Sequence, residues 1–285
     1  MKVSSPLRYP GGKAAMTGLL SQTLKLNGLG NRDFAEPYAG GAGASLSLLY
    51  LEETRNIHIN DLDPAIYDFW WTLVKRPEPF IKKLNKTRVS MAEWHRQRKI
   101  YKMPNQQSRI RLAFSAFYLN RCNRSGIIMN GGPIGGMQQL GTWKLKARYN
   151  KTELRRRCEK VIEYSNRIHV THLDGIKFIG SLEADKTFFF IDPPYFGKGK
   201  TLYLNVLDNG YHSLLASKLK LMPDAAWILT YDDCPEIREM YQGWATIREF
   251  SLQYSAAKRR NGNEILIAPP WLRLPEVQNS KSIGW

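Results

Sequence analysis

The segment Asp192-Pro193-Pro194-Tyr195 places a carboxylate, two prolines and an aromatic ring directly after a buried apolar run. That run, Phe188–Ile191, is typical of a strand covered on both faces, as in a parallel sheet. Two prolines cannot continue a ladder, so the strand must stop at the carboxyl edge, where open α/β sheets bind ligands. There Asp192 and the Pro193 carbonyl can accept the two N–H bonds of a planar amine, while Tyr195 stacks on the attached ring. The motif predicts chemistry on an exocyclic amine.

A glycine-rich segment, Phe34–Gly43, predicts a strand, a tight turn and the start of a helix. Glycines let the backbone approach a ligand closely, and the N–H groups at the helix start can bind an anionic group. The segment lacks the GxGxxG pattern of dinucleotide sites. A plain turn would explain the glycines equally well, so the segment indicates a ligand pocket only together with the other motifs.

Asn60-Asp61 lies at the end of the next predicted strand. A carboxylate in that place can accept both hydroxyls of a ribose, as in nucleotide-binding α/β folds. The 21 residues from Gly40 to Asp61 are close to the expected spacing of about 20. Asp63 is the competing carboxylate, but its position before Pro64 is more typical of a helix N-cap.

These motifs need a sheet to position them, and short apolar runs rich in β-forming residues predict one. Helix-like stretches such as Gly43–Glu53 and His212–Lys220 lie between the runs, which predicts an α/β layered sheet. Asn261-Gly262 before the last run is a strong hairpin signal. A mostly parallel sheet that ends in an antiparallel pair is the class I methyltransferase (Rossmann-like) arrangement. The predicted strands are Asp33–Pro37, Asn56–Asn60, Ile168–Leu173, Thr187–Ile191, Ala226–Thr230, Thr246–Tyr254 and Glu264–Ala268.

More than 100 residues separate the second run from the third, far more than a crossover helix requires. The extra residues predict an inserted, mainly helical domain. Arg109–Asn120 has apolar residues at helical spacing, and Glu153–Ser165 follows Thr152 as a capped helix. Asn130–Gly136 is too rich in glycine for regular structure and predicts a loop.

The chain's net charge of +17 is concentrated in this insertion. Residues 82–160 contain 20 basic and 3 acidic side chains, whereas the rest of the chain contains 22 of each. Arginine outnumbers lysine there by 11 to 9, and arginine favours bidentate phosphate and base contacts. A basic segment of this kind, with aromatic residues between the charges, indicates a nucleic-acid partner more than a solvated surface.

The composition excludes several classes of protein. Three cysteines in 285 residues do not form a disulfide scaffold and fit a reducing cytosol, so we expect a cytoplasmic protein. The sequence contains no run of 18 apolar residues, so we expect no membrane span. The N-terminus lacks the apolar region of a secretory signal. A zinc deaminase, which also acts on bases, needs His-x-Glu and Pro-Cys-x-x-Cys; neither is present. We expect no metal.

Taken in order along the chain, the motifs resemble those of the Dam-like, class α, adenine-N6 DNA methyltransferases, which use S-adenosylmethionine. The catalytic motif follows the basic insertion, as in the class α order. The glycine-rich loop within 127–143 is unlike Dam itself. The matching segments are Arg8–Lys13, Phe34–Gly43, Asn60-Asp61, Asn120–Gly126 and Asp192–Tyr195.

The resemblance implies roles for individual residues. Asp61 would hold the ribose of S-adenosylmethionine, and Asp192 would touch both the cofactor region and the target amine. Asp192, Pro193, Pro194 and Tyr195 would form the catalytic motif. The N-terminal motif would contribute cofactor contacts from Tyr9, Gly11, Gly12 and Lys13. The methionine pocket would be shaped by Glu36, Pro37, Gly40, Gly41 and Gly43.

The resemblance also implies double-stranded DNA as the substrate, with a flipped-out target base. A cognate restriction or defence system would be the further partner. The domains would be a catalytic domain of residues 1–75 and 160–285 and a target-recognition domain of residues 76–159. Candidate DNA contacts are Asn120, Arg121 and Arg124 at the start of the reading region, Lys146 and Arg148 for phosphates, and Arg259 and Arg260 on the terminal hairpin.

Motif chemistry alone leaves other reactions open. A similar tetrapeptide serves any planar nitrogen, so cytosine N4, RNA adenine and a glutamine amide are alternative targets. The alternative from another class is a catalytically inactive nucleic-acid-binding protein.

Overall fold

The computed structural model describes residues 5–8, 13–194, 209–250 and 264–276. In these ranges the chain forms a seven-stranded sheet with helices on both faces. The strands are β1 (Asp33–Glu36), β2 (Ile57–Asn60), β3 (Ile168–Thr171), β4 (Thr187–Ile191), β5 (Ala226–Asp232), β6 (Thr246–Phe250) and β7 (Glu264–Ala268). The helices are α1 (Thr17–Leu26), α2 (Gly43–Tyr50), α3 (Pro64–Lys75), α4 (Pro77–Lys86), α5 (Met91–Tyr101), α6 (Arg109–Cys122), α7 (Lys151–Glu163), α8 (Gly175–Gly180), α9 (Asn209–Lys220) and α10 (Pro235–Tyr241).

The strand order across the sheet is β3-β2-β1-β4-β5-β7-β6. The first five strands pair in parallel, whereas β7 lies antiparallel to both β5 and β6. The prediction of a mostly parallel sheet with an antiparallel end, typical of a class I methyltransferase, is therefore confirmed. The sheet order puts the ends of β2, β1 and β4 side by side.

Each central strand is buried on both faces because its alternate side chains enter two separate layers. Phe34, Phe188 and Phe190 point into the layer formed by α1 to α7. Phe189 and Ile191 point into the opposite layer, which includes α8, α9 and α10. This double burial explains why β4 is an uninterrupted apolar run rather than an alternating one.

The predicted strands agree with the structure, and the small differences have local causes. β3 ends at Thr171 instead of Leu173, because the N–H of Leu173 bonds the side chain of Asn60 at 2.8 Å. β5 extends to Asp232, because Asp232 pairs with Glu264 of β7. Residues 251–254 of the sixth predicted strand and the turn at 261–262 lie outside the described residues.

Several predicted helix boundaries differ from the structure by two or three residues, and two of the differences have a local cause. α2 ends at Tyr50 rather than Glu53, because Glu52 has a positive φ of 56° and the chain turns back there. α7 is capped by Asn150, whose side chain accepts from the N–H of Glu153 at 3.1 Å. Thr152 lies inside that helix instead of capping it.

The insertion between β2 and β3 contains α3 to α7 and is mainly helical, as predicted. An aromatic cluster of Phe69, Phe80, Phe114 and Phe117 joins α3, α4 and α6. These side chains belong to the same hydrophobic layer that covers one face of the sheet. The inserted helices are thus packed on the sheet through α3. The division at residues 75/76 and 159/160 stays a prediction.

Within the described ranges, no helix combines the length and the apolar character that crossing a bilayer requires. The same residues bring together no group of three or more histidine, cysteine or acidic side chains that could hold a metal ion.

Candidate active site

The predicted motifs meet at the carboxyl edge of the sheet. Glu36 ends β1, Asp61 follows β2 and Asp192 follows β4. Because β2, β1 and β4 are neighbours, these carboxylates lie along one edge, with strands about 4.8 Å apart. Asn60, which is buried at the end of β2, donates to the carbonyls of Pro37 and Leu173, both at 2.9 Å. It thereby fixes the ends of β1, β2 and β3 relative to one another.

The two oxygens of Asp192 have different surroundings. Oδ1 accepts a hydrogen bond from Thr230 Oγ1 of β5 at 2.6 Å and lies 3.4 Å from Lys13 Nζ. In the described part of the chain, no group donates to Oδ2. Burial raises the pKa of Asp192, while Lys13 and Thr230 oppose that rise. Asp192 is therefore held through one oxygen, and the other can accept from a ligand.

Lys13 is a buried cation at this edge, and one of its partners, Glu264, was missed by the sequence reasoning. Lys13 Nζ donates to Glu264 Oε2 at 2.8 Å, and both side chains are 4% exposed. Glu264 opens β7, a strand that is otherwise apolar and fully buried. A single acidic residue in such a run is a signal that could have identified it, because buried carboxylates need a partner.

The glycine-rich turn is tied directly to Asp61. Gly40 has a positive φ of 48°, a conformation that favours glycine. Its N–H donates to Asp61 Oδ2 at 2.8 Å, and its carbonyl accepts from Trp70 Nε1 of α3 at 2.9 Å. Gly43 begins α2. The turn and the proposed ribose carboxylate therefore form one unit.

Asp61 and Asp63 lie next to each other but make different contacts. Asp61 Oδ1 accepts from the N–H of Asp63 at 2.9 Å, and burial raises the pKa of Asp61 to about 7. Asp63 caps α3 by accepting from the N–H of Ala65 at 2.8 Å, with Pro64 in the first turn. Tyr101 of α5 also donates to Asp63 at 2.8 Å. The N-cap prediction for Asp63 is confirmed.

Glu36 occupies the donors at the start of α2. Its Oε1 accepts from the backbone N–H of Ser45 at 2.7 Å and from the Ser45 hydroxyl at 2.6 Å. Burial, with a smaller contribution from the charge of Asp192, raises the pKa of Glu36 to about 7 against the opposing effect of the Ser45 hydrogen bonds. One N–H of the helix start is thus already used by the protein's own carboxylate.

The edge as a whole has an excess of carboxylates. Glu36, Asp61, Asp192 and Glu264 all lie at this edge, and among the residues that the structure describes the one ammonium group paired with any of them is that of Lys13, which contacts Asp192 and Glu264. A ligand that carries a positive charge and hydroxyl donors complements this set of acceptors. S-adenosylmethionine, with its sulfonium centre and ribose, has both properties, so the residues present fit it.

The candidate DNA contacts divide into buried and exposed groups. Asn120 and Arg121 on α6 are buried, with 0% and 5% exposure. Asn120 Oδ1 accepts from the N–H of Arg8 at 2.7 Å, and its Nδ2 donates to the Gly126 carbonyl at 3.0 Å. Arg124, Lys146 and Arg148 are exposed. Asn120 therefore supports the surrounding backbone, and direct DNA contact would fall to the exposed residues.

The glycine-rich loop after α6 has a fixed shape. Gln139 Nε2 donates to the carbonyls of Ile134 and Gly136 at 2.7 and 2.8 Å. Gln139 Oε1 accepts from the N–H of Leu145 at 2.8 Å. The loop is irregular, as predicted, and it projects exposed side chains beside Lys144: those of Met137, Leu140 and Trp143.

A basic cleft of about 640 Å³ lies between α4, α5 and the start of α6. Its six cationic side chains outnumber the one carboxylate, that of Glu93. No motif pointed to this cleft, although the charge count of the insertion did predict a basic surface. The charged residues that line it are Lys82, Lys83, Lys86, Arg88, Glu93, Arg96 and Arg111.

Several predicted site residues lie outside the described residues. They are Tyr9, Gly11 and Gly12 of the N-terminal motif, Tyr195 of the catalytic motif, and Arg259 and Arg260 of the terminal hairpin.

A comparison with protein families supplies the identity that the edge suggests. The model of the D12 class N6 adenine-specific DNA methyltransferases matches residues 9–259, which include Glu36, Asp61 and Asp192 of the sheet edge and the whole basic insertion. A search of curated protein sequences found no significant match. The family match favours adenine N6 in DNA over cytosine N4, RNA or a protein amide as the target. The chain belongs to the D12 class of N6 adenine-specific DNA methyltransferases.

Proposed function

We propose that this adenine-N6 DNA methyltransferase uses S-adenosylmethionine as its methyl donor and Asp192 as its central catalytic residue. In this proposal, Asp192 Oδ2 and the Pro193 carbonyl accept the two N–H bonds of the target amine. The lone pair of an aromatic amine is delocalised into its ring, which makes the amine a poor nucleophile. Two acceptors on the amine favour a tetrahedral nitrogen and so return the lone pair to the reacting direction.

One observation carries the proposal: the asymmetry of the Asp192 carboxylate. Oδ1 is engaged by Thr230 and Lys13, whereas Oδ2 has no donor in the described part of the chain. A carboxylate held through one oxygen loses little freedom when the other binds a substrate, and such prior ordering lowers the cost of reaching the transition state. Lys13 also supports the ionised form of Asp192, which is the form that accepts hydrogen bonds.

The cofactor proposal assigns Asp61 to the ribose hydroxyls, and Glu36 and the glycine turn to the methionine end. S-adenosylmethionine supplies an electrophilic methyl group, and the electron pair of the broken carbon–sulfur bond stays on sulfur. Asp61 is suited to its role because Gly40 and Asp63 orient both of its oxygens and leave lone pairs free for hydroxyl donors. Lys13, Pro37, Gly41 and Gly43 are the further described residues of the proposed pocket.

The substrate proposal is a double-stranded DNA with the adenine turned out of the helix. Flipping costs a few kcal/mol, and stacking on Tyr195 with phosphate contacts from the basic insertion would offset this cost. Arg124, Lys146 and Arg148 are exposed on that insertion, which supports them as the phosphate contacts. Arg259 and Arg260 would contact the same duplex from the catalytic side.

Replacement of the catalytic carboxylate tests the mechanism. We expect Asp192→Asn to lower methyl transfer to DNA by about 10³-fold or more, because the amide both removes an acceptor and presents a donor to the amine. Transfer of labelled methyl to plasmid DNA gives the rate, and calorimetry with S-adenosylmethionine shows whether the cofactor still binds. Asp185→Asn, an exposed position before β4, is the matched control. Near wild-type turnover in Asp192→Asn would remove Asp192 from the mechanism.

The location and the partner of the enzyme are also proposals: it acts on DNA in the cytoplasm, beside a cognate restriction or defence system. Sequencing of host DNA with detection of modified bases, with and without this gene, tests it. We expect N6-methyladenine at one short sequence only in the strain that carries the gene. Survival of the strain after loss of the gene would argue against a restriction partner that cuts the unmodified sequence.

A further inference from the structure

The buried face of α5 carries polar groups. Trp94 and Tyr101 lie seven positions apart in this helix, so they project from the same side, two turns from each other. Gln97 lies between them on that side, and all three side chains are buried. The Oε1 of Gln97 has no hydrogen-bond partner among the described residues. A helix can be packed through an apolar stripe alone, so the buried polar groups of this face need a separate explanation.

Trp94, in the first half of α5, holds the residue that follows α6. Its Nε1 donates to Asn123 Oδ1 at 2.7 Å, and Asn123 is completely buried. The Nδ2 of Asn123 in turn donates to the carbonyls of Ile127 and Ile128 at 2.7 and 3.1 Å. Trp94 therefore fixes the side chain that holds the beginning of the glycine-rich loop after α6.

Asn123 also contacts the far side of that loop. It pairs with Pro133 in an antiparallel bridge, and the N–H of the next residue, Arg124, donates to the Gly132 carbonyl at 3.0 Å. Arg124 itself is exposed. A displacement of Asn123 would therefore move both sides of the loop together with Arg124.

Tyr101, at the other end of α5, contacts the sheet edge. Its hydroxyl donates to Asp63 Oδ2 at 2.8 Å, and the N–H of Asp63 donates to Asp61 Oδ1 at 2.9 Å. Burial raises the pKa of Asp63, and the Tyr101 hydrogen bond opposes that rise. The position of α5 thus bears on Asp61 through one intermediate residue.

The two buried hydrogen bonds relate distant parts of the molecule to one rigid element. A buried hydrogen bond contributes modestly to net stability, but it fixes the relative position of the two groups that it joins. Between Trp94 and Tyr101 the helix rises about 10 Å, and its own backbone bonds keep that spacing constant. The loop after α6 and the carboxyl edge of the sheet are therefore held at a set distance by α5.

We propose that Trp94 and Tyr101 are positioning residues that couple the glycine-rich loop to the ribose carboxylate, so that cofactor and DNA strengthen each other's binding. The inference rests on the proposed function, which assigns Asp61 to the cofactor and the basic insertion to DNA. The ribose hydroxyls would hold Asp61 and, through it, Asp63, the acceptor of Tyr101. DNA would hold the loop and, through it, Asn123, the acceptor of Trp94. Each ligand thereby favours the same position of α5 and lowers the ordering cost of the other.

The test measures affinity for S-adenosylhomocysteine, the product that has lost the methyl group. Calorimetry gives this affinity with and without a duplex that carries the sequence methylated by the wild type, and no turnover occurs in either case. We expect the duplex to tighten wild-type binding of the product about fivefold or more. In Trp94→Phe and in Tyr101→Phe, we expect this coupling factor to fall below about twofold.

Trp94→Phe is the critical variant, because it keeps an aromatic ring and removes only the donor to Asn123, at the end of α5 away from Asp61. Its affinity for S-adenosylhomocysteine without DNA should equal that of the wild type, although the effect of DNA on this affinity is lost. The double variant should have the same coupling factor as either single variant, because both bonds act through one helix. The product should also tighten DNA binding by the same factor as DNA tightens binding of the product.

Two matched variants control for the substitutions themselves. Tyr164→Phe loses a hydroxyl bond to Glu52 at 3.2 Å, and Trp271→Phe loses an indole bond to the Pro223 carbonyl at 2.9 Å. Neither bond involves α5, so both variants should keep the wild-type coupling factor. A merely structural role for Trp94 and Tyr101 would lower the Tm of their variants and leave the coupling factor unchanged, and this result would overturn the proposal.

The outcomes also separate this proposal from the proposed function. A wild type that binds no S-adenosylhomocysteine and transfers no methyl group would overturn the proposed function. A wild type that binds the product and methylates DNA, but has a coupling factor near one, would overturn only the coupling through α5.

Discussion

Asp61 and Glu36 are the two carboxylates of the proposed cofactor pocket whose protonation is most clearly altered by burial. Burial raises the pKa of each to about 7, so a substantial share of both is protonated near neutral pH when no ligand is present. A cationic ligand with hydroxyl donors favours the ionised forms. Cofactor binding and proton release at this edge should therefore be coupled.

The first prediction concerns Asp61→Asn. The pKa of Asp61 is 3.8 in the reference state and about 7 in the folded protein, so between those values the folded protein holds a proton that the unfolded chain has released. The free energy of unfolding should therefore decrease as pH rises through that window and level off above about pH 7. Asp61→Asn removes this share of the decrease, so its Tm should change less between about pH 4 and pH 8 than that of the wild type, as scanning calorimetry would show.

The same variant should bind S-adenosylmethionine about tenfold more weakly or worse, because one ribose acceptor becomes a donor. Wild-type affinity should rise with pH up to about 7 and then level off, whereas the affinity of the variant should depend less on pH. Asp224→Asn, at an exposed site, is the control for both measurements. An unchanged calorimetric affinity in Asp61→Asn would move the ribose contact elsewhere.

The second prediction is that Glu264 positions the catalytic centre through Lys13. In Glu264→Gln, Lys13 loses the negative charge that lies 2.8 Å from its Nζ and can move relative to Asp192. We expect kcat to fall about tenfold or more while the affinity for S-adenosylmethionine changes little. Because the charge of Glu264 raises the pKa of Asp192, the acid limb of the kcat profile should shift to lower pH.

Glu264→Asp separates positioning from stability. It keeps the charge on a shorter side chain, so we expect it to recover part of kcat. We also expect the acid limb of its kcat profile to move back toward the wild-type pH. A fall in the Tm of Glu264→Gln with kcat unchanged would show that Glu264 only stabilises the fold.

At the scale of elements, α6 shows why a candidate DNA-binding segment contains buried polar residues. All residues of α6 from Leu112 to Cys122 are buried, so its polar side chains must be satisfied inside the protein. Asn120 bonds the backbone of Arg8 and Gly126. The helix therefore joins the N-terminal motif to the start of the glycine-rich loop.

The third prediction is that Asn120→Ala weakens both stability and DNA binding without removing a direct contact to DNA. The variant leaves buried backbone groups of Arg8 and Gly126 unpaired, at a cost of about 1–3 kcal/mol for each unsatisfied group. Urea unfolding should show this destabilisation in the midpoint. Asn105→Ala, an exposed asparagine in the turn Pro104–Gln106, should leave the midpoint unchanged. Weaker DNA binding with unchanged stability would instead indicate direct contact by Asn120.

At the scale of the whole molecule, α5 connects the basic cleft of the insertion to the carboxyl edge of the sheet. Glu93 of α5 lines the cleft, and Tyr101 at the end of α5 donates to Asp63, beside Asp61. Eight residues of helix span about 12 Å, which is well within one turn of DNA, about 34 Å. A duplex with its target base at the sheet edge could therefore present phosphates to this cleft.

The fourth prediction is that Lys82→Gln with Lys86→Gln lowers the salt slope of DNA binding by about 1.8, or about 0.9 for each phosphate that is no longer neutralised. Both lysines are exposed in the cleft. Methyl transfer at saturating DNA should be unchanged, because the catalytic edge is untouched. Fluorescence anisotropy over a range of salt concentrations gives the slope.

Lys186→Gln with Lys220→Gln is the matched pair at the opposite, amino edge of the sheet. These exposed lysines precede β4 and β5 and should leave the slope unchanged. An equal fall for both pairs would mean that overall charge, rather than the cleft, determines the salt dependence.

The sequence by itself determined the sheet and the edge at which we propose the chemistry takes place. Uninterrupted apolar runs such as Phe188–Ile191 can be buried on both faces only in a covered parallel sheet. The prolines at 193 and 194 must end such a strand. These constraints act locally, between neighbours in the chain. The sequence alone therefore predicted the order of strands along the chain, the carboxyl edge of the sheet and the positions of Asp61 and Asp192 at that edge.

Only the tertiary structure decided which side chains from distant segments share a partner. Glu264 is 251 positions from Lys13, and Arg8 is 112 positions from the Asn120 that holds it. The local spacing of these residues does not predict such pairs, because the pairs depend on how whole strands and helices pack. The same reason explains why Asn120 and Arg121 are buried inside the protein, although their polar character and their motif predicted a surface that faces DNA.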